Sequence, residues 1–238
     1  MDTGVEGPPE DLPTGALDED ERNYGAALAE VVSLAQALDL RDAGTANHSR
    51  TVGRYAEQIA SELGMPGRRA ERVRLAGMLH DIGKIGIPDS ILQKPEPLTE
   101  VEWDDMKRHP RIGARIVAQN HLEDIGEWIL AHHERPDGSG YPLGLREPQI
   151  PLEARILAVA DAYEAMTAGR PYRCALEARR AREELRRGAG RQFDRRVVDV
   201  FVRWLDRLDP GSSRKPRARF SGSSRRGDDG LINCSSRA

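Results

Sequence analysis

Apolar side chains recur at steps of three and four along nearly the whole middle of this chain, and no alternating run of useful length interrupts them. Leu28, Val31, Val32, Leu34, Ala35 and Leu38 share one stripe of a helix over 24–40. Val52, Tyr55, Ala56, Ile59 and Leu63 repeat the pattern over 46–63, which stops at Gly64 and Pro66. Val73, Ala76 and Leu79 mark a third helix over 68–80. Thr99 opens a fourth as a capping box, because Glu102 stands three residues on and can return to the Thr99 amide. His109-Pro110 is expected to interrupt that helix, with further helices over 111–120, 122–133 and 151–168, Pro151 taking the first helical position. Another over 176–187 ends at Gly188, and Asp194 caps a last one through Val197, Val198, Phe201 and Leu205. Aromatics make up only 5% of the residues, so the core must rest on Leu, Val, Ile and Ala. The expected fold class is all-α.

The two ends differ from this middle and from each other. Residues 1–21 hold eight acidic side chains and no basic one, while 211–238 hold seven basic and two acidic, so the net charge of −3 hides opposite tails. Residues 1–22 are rich in Pro, Gly and acid, and 210–238 in Ser, Gly and Arg; both are expected to be disordered around one folded domain over 23–209. The basic tail has a single aromatic, Phe220, and no periodicity, which favours a solvated tail over a nucleic-acid arm. Cys174 and Cys234 are too few for a disulfide framework or a zinc ribbon. The first residues lack a basic stretch followed by an apolar one, and no run of about eighteen apolar residues exists. A cytoplasmic protein without a membrane partner is the expectation.

The chemistry lies in the histidines. Of six, His80 is followed by Asp81 and His132 by His133, while His48 and His109 stand on or beside helical stretches. Imidazole and carboxylate with almost no thiol suit first-row divalent ions such as manganese, iron, nickel or zinc. His80 and Asp81 at a helix end point about 100° apart and can approach one ion from two sides. Gly83 and Gly86 then let the chain turn away, and Lys84 places a positive charge where a phosphate oxygen would lie. The stretch from His132 to Pro142, HHERPDGSGYP, follows the apolar Trp128-Ile129-Leu130 and reads as more than a surface His pair running into a Pro-Asp-Gly turn. Asp161 stands among Ile156, Leu157, Val159, Ala160, Ala162 and Met166, where a bare carboxylate is costly. Either an ion pair with Arg155 or Arg170, or a metal, would offset that cost.

With these residues in view, the chain resembles the HD-GYP family, a branch of the HD-domain metal-dependent phosphohydrolases. The matching stretches are LHDIGKIGIPDSILQKPEPLT, HPRIGARIV, HHERPDGSGYPLGL and ARILAVADAYEAMTAGRPYR, in the family's order, within a likeness running from about Tyr24 to about Asp206. The resemblance implies an HD-domain helical bundle with additional helices, and hydrolysis of the bacterial second messenger cyclic di-GMP to pGpG or GMP. It implies His48, His80, Asp81, His109, His132, His133 and Asp161 as metal ligands, with Asp81 bridging two ions and acting with Lys84 in catalysis. Lys84, Tyr141, Arg170 and Arg173 match positions that contact the nucleotide, and Glu164 would steady Lys84 or a ligand. Members with three metals carry a glutamate four residues before the first histidine; here that position is Gly44, so two divalent ions are expected, iron or manganese first, then nickel, cobalt or zinc. The implied partners are a cyclic dinucleotide and diguanylate cyclases of the GGDEF type. The open alternatives are a different nucleotide substrate, such as a mixed cyclic dinucleotide, and a receptor that binds the messenger without cleaving it.

Overall fold

The computed structural model describes residues 29, 32, 33, 35, 37, 47–119, 122–168 and 175–209. Both tails lie outside them, and the helix expected over 24–40 is represented by five residues, all helical, of which Ala35 is buried in the core. The elements that follow are α1 (His48–Glu62), α2 (Gly67–Leu79), a 3-10 turn (Ile82–Gly86), α3 (Asp89–Leu92), α4 (Glu100–Met106), α5 (His109–Ala118) and α6 (Glu123–Ala131). A second 3-10 turn (Glu147–Gln149), α7 (Leu152–Thr167), α8 (Ala178–Gly188) and α9 (Arg195–Leu208) complete them. Among the described residues the only β pairing is an isolated bridge between Ala189 and Phe193. The fold is all-α.

Local chemistry sets the helix ends. Thr99 Oγ1 accepts from the Glu102 amide while the Glu102 carboxylate accepts from the Thr99 amide, at 3.4 and 2.7 Å, and Asp194 accepts from the Val197 amide at 3.0 Å. Three boundaries differ from the sequence expectation. Helix α5 begins at His109 with Pro110 in its first turn, where a missing N–H costs nothing, so the break falls on Lys107 and Arg108 instead. Pro151 precedes α7 rather than opening it, and Gly188 is the last residue of α8 rather than its stop.

One large core joins α1, α2, α6, α7, α8 and α9 through Val52, Ile59, Val73, Leu79, Ile129, Leu157, Leu185 and Phe201, all without measurable exposure or nearly so. Each such side chain contributes about 1.5–3 kcal/mol relative to exposure. A smaller cluster of Ile87, Ile91 and Met106, with Leu92, Leu98, Trp103 and Ile112 packed on it, holds the segment between the 3-10 turn and α5. Glycines set two close approaches. A Cβ on Gly77 would lie 2.8 Å from Gly53 Cα, so α1 and α2 cross almost in backbone contact. A Cβ on Gly83 would lie 1.9 Å from the His109 carbonyl oxygen, so the 3-10 turn sits directly on the start of α5. Neither Gly83 nor Gly86 has a positive φ, so close packing, rather than the steep turn expected from sequence, is what Gly83 provides.

Candidate metal centre

Five segments bring their polar ends to one place. His48 opens α1, His80 and Asp81 follow α2, His109 opens α5, His132 and His133 follow α6, and Asp161 lies mid-way along α7. The close crossing of α1 and α2 puts the His48 and His80 rings 5.3 Å apart, and His80 stands 5.3 Å from His132. His109 is 5.1 Å from His133, whose ring is 3.9 Å from that of His132. Asp81 is central: its Oδ2 lies 3.3 Å from His80 Nε2 and 3.8 Å from His48 Nε2, while Oδ1 lies 3.4 Å from His109 Nε2. Asp161 Oδ1 lies 3.5 Å from His48 Nε2 and 3.8 Å from His80 Nε2. Two groups of ligand-capable atoms result, each within 4.8 Å of one another: Asp81, His109, His132 and His133, and His48, His80 and Asp161.

The hydrogen bonds fix which ring nitrogens face inward. His80, His109 and His132 each give Nδ1–H to the carbonyl three residues earlier, Gly77, Met106 and Ile129, at 2.8, 2.9 and 2.6 Å. A carbonyl only accepts, so each neutral ring carries its lone pair on Nε2. His48 differs, for its Nδ1 meets the Glu164 carboxylate at 2.5 Å. The Nε2 atoms of His80, His109, His132 and His133 are buried without any hydrogen-bond partner. Four buried ring nitrogens without a partner are costly as they stand. A divalent cation in each of the two groups would satisfy them, with the backbone carbonyls and Glu164 as the outer supports that orient metal-binding imidazoles. The donor set therefore fits first-row metal ions.

Charge in the cluster follows the same logic. Burial pushes His109 down to about 3 and His132 down to about 4, and drives His133 well below the usual imidazole range. Burial also works against a proton on His80, but the Asp81 and Asp161 carboxylates outweigh it and raise that ring to about 9. Burial alone would raise the Asp81 carboxyl; the charges of His80 and Lys84 hold it well below the ordinary carboxylate value. A metal ion replaces such protons when it binds.

The remaining residues singled out from sequence fall as follows. Lys84 is buried with Nζ 2.9 Å from Asp81 Oδ2, so it abuts the Asp81 carboxylate rather than reaching beyond it. Tyr141 lies over His133 with ring centroids 4.7 Å apart and planes 28° from parallel. Asp161 is less enclosed than its apolar neighbours suggest, its side chain being 24% exposed. Arg155, one of its two possible ion-pair partners, instead meets Asp194 at 2.5 Å. Arg170 and Arg173 lie outside the described residues.

Two residues near the centre escaped the sequence reading. Glu134 is buried and accepts from the amides of Leu143, Gly144 and Leu145 at 2.5, 3.1 and 2.9 Å, closing the Gly-Tyr-Pro loop on itself. Its adjacency to His132-His133 was the available signal; the following Pro-Asp-Gly turn made it look like a solvated charge. Trp103 meets Tyr141 edge-on at 6.2 Å, a pairing across 38 positions that no local pattern reveals.

Comparison with known proteins agrees with this geometry. The model of the HD domain family matches residues 32–197, and the chain belongs to that family, in its HD-GYP branch. It is 45% identical over 179 residues to a cyclic di-GMP phosphodiesterase response regulator, RpfG, of Xanthomonas campestris, covering 74% of this chain and 47% of the relative. It is 37% identical over 179 residues to 3′3′-cGAMP-specific phosphodiesterase 2 of Vibrio cholerae, covering 74% and 34%. The chain thus spans half or less of these curated relatives. Among solved structures, an HDG"Y"P protein of Bdellovibrio bacteriovorus shares the fold, with a TM-score of 0.58 at 20% identity over 79% of this chain and 65% of that one. No helix among the described residues is long and apolar enough to cross a membrane.

Proposed function

We propose that this protein is a metal-dependent phosphodiesterase that opens cyclic di-GMP to linear pGpG and can carry it on to GMP. The observation that carries the reading is four buried, partnerless Nε2 atoms gathered around carboxylates, those of His109, His132 and His133 with Asp81 and that of His80 beside Asp81 and Asp161. In this reading His48, His80 and Asp161 would hold one divalent ion and His109, His132 and His133 a second, with Asp81, whose two oxygens face rings of both groups, shared between them. Iron or manganese suits the mixture of imidazole and carboxylate, with nickel, cobalt or zinc as other occupants. Bound there, such ions supply Lewis acidity toward a phosphodiester and a water acidic enough to attack at neutral pH.

The chain's own groups do the rest. Asp81 sets the spacing of the two ligand groups, and Glu164 holds His48 in the orientation that presents Nε2. Lys84, fixed beside Asp81 Oδ2, lies where it can offset charge that grows on the phosphate oxygens. Tyr141 closes the pocket over His133, and Arg170 and Arg173 are proposed phosphate or base contacts through the family resemblance. Water adds to phosphorus, the bond from phosphorus to the ribose 3′-oxygen breaks, and that oxygen leaves with a proton. The catalytic unit is taken as residues 23–209, acting in the cytoplasm, with GGDEF-type cyclases as proposed partners.

One observation favours a second substrate: a relative named as cGAMP-specific matches the same share of the chain, 74%, as one named for cyclic di-GMP, at lower identity. The test is anaerobically purified protein of measured metal content, incubated with cyclic di-GMP and with 3′3′-cGAMP and sampled by chromatography. Accumulation of pGpG or GMP supports the reading, faster loss of cGAMP moves the substrate, and intact nucleotides with full metal occupancy overturn it.

A further inference from the structure

Among the described residues, exposed large apolar side chains adjoin site residues and Trp103 in sequence. Ile85 (40% exposed) follows Lys84, Val101 (74%) is two residues from Trp103, and Leu143 (47%) is two residues from Tyr141. Two aromatic rings connect such segments to the centre. Tyr141 has one face occupied by His133, and Trp103 meets it edge-on at 6.2 Å with planes 74° apart. Trp103 is half-buried and packs on the small cluster of Ile87, Ile91 and Met106, so the indole is rigidly held from behind. Its helix is fixed in turn by the Thr99–Glu102 capping box. A partly exposed indole held this firmly beside a phosphate-cleaving centre is a place for a flat, apolar group of the substrate.

We infer that Trp103 is a substrate-binding residue that receives a purine base of the cyclic dinucleotide, with Tyr141 as the adjoining wall; this rests on the phosphodiesterase reading above. A cyclic dinucleotide carries a flat base on either side of its phosphates. When one phosphate sits at the Asp81 group, an adjacent base needs a flat apolar surface nearby. Aromatic rings stack on any base, so this contact contributes affinity for the purine without choosing between guanine and adenine. That is consistent with relatives of one fold being named for different cyclic dinucleotides.

The test uses the full chain, metal-loaded, as wild type, Trp103→Leu and Trp103→Phe. Leucine keeps the apolar packing and removes the flat ring; phenylalanine keeps a ring. Trp103→Leu is expected to raise the KM and the calorimetric Kd for cyclic di-GMP about 10-fold. It should leave kcat within about two-fold, with metal content and inhibition by inorganic phosphate unchanged, and Trp103→Phe should restore most of the affinity. An unchanged Kd in Trp103→Leu overturns the inference. So does a joint loss of metal, phosphate inhibition and nucleotide affinity, which marks a purely structural tryptophan. Wild-type protein that binds but does not cleave the nucleotide would sink the phosphodiesterase reading instead, and the calorimetric comparison would still decide the role of Trp103.

Discussion

The two halves of the candidate centre are built differently. His109, His132 and His133 stand at the ends of α5 and α6, and the first two are oriented by backbone carbonyls. The other half has His48 and Asp161 on long core helices, with His48 oriented by a side chain, Glu164. A backbone support cannot be deleted by substitution and shifts only if the helix ends move. A side-chain support can be removed without moving the backbone at all. His80 in the second half shares the backbone kind of support, through Gly77, so what sets that half apart is the one support, Glu164, that chemistry alone can remove.

Asp81→Ala has the largest expected effect, because it removes the group that faces both halves: loss of both ions and at least about a thousand-fold drop in turnover, by metal analysis and chromatography. Gly83→Ala comes next and should strike the His109 half. Its methyl meets the His109 carbonyl oxygen, and the overpacking costs about 1–3 kcal/mol. One ion per chain, not two, with a melting temperature only a few degrees lower is the expected result. Glu164→Gln should weaken metal at the His48 half by roughly 10–100-fold while the other half keeps its ion, read by titration with a chelator. Asp194→Ala, far from the centre, removes the cap of α9 and the partner of Arg155 for about 1–2 kcal/mol, and metal content should not change. If Gly83→Ala and Glu164→Gln deplete the same ion, the two halves are not independent.

The sequence made the clustered histidines and aspartates legible and their supports mostly not. His80-Asp81 and His132-His133 are adjacent pairs in helix-ending contexts, so spacing alone exposes them. Glu164 is readable as the residue one turn after Asp161, expected to steady Lys84 or a neighbouring ring, and its carboxylate meets His48. Pro110 misplaced the start of α5 because a proline after a helical run reads as a break, and only the position of Lys107 and Arg108 shows it to be a first-turn proline. Gly83 looked like a turn residue because a glycine that permits close approach leaves the same mark in sequence as one that permits a positive φ. Glu134 was hidden because burial of a loop carboxylate depends on three amides nine to eleven positions away.

The claim beneath all of this is that Asp81 joins two ligand groups into one dinuclear cradle. Anomalous diffraction from crystals of manganese- or iron-loaded protein tests it directly. The account predicts two peaks roughly 3.5–4 Å apart, one beside His48, His80 and Asp161 and one beside His109, His132 and His133, with Asp81 between them. A single peak away from Asp81, or none in catalytically active crystals, would contradict it.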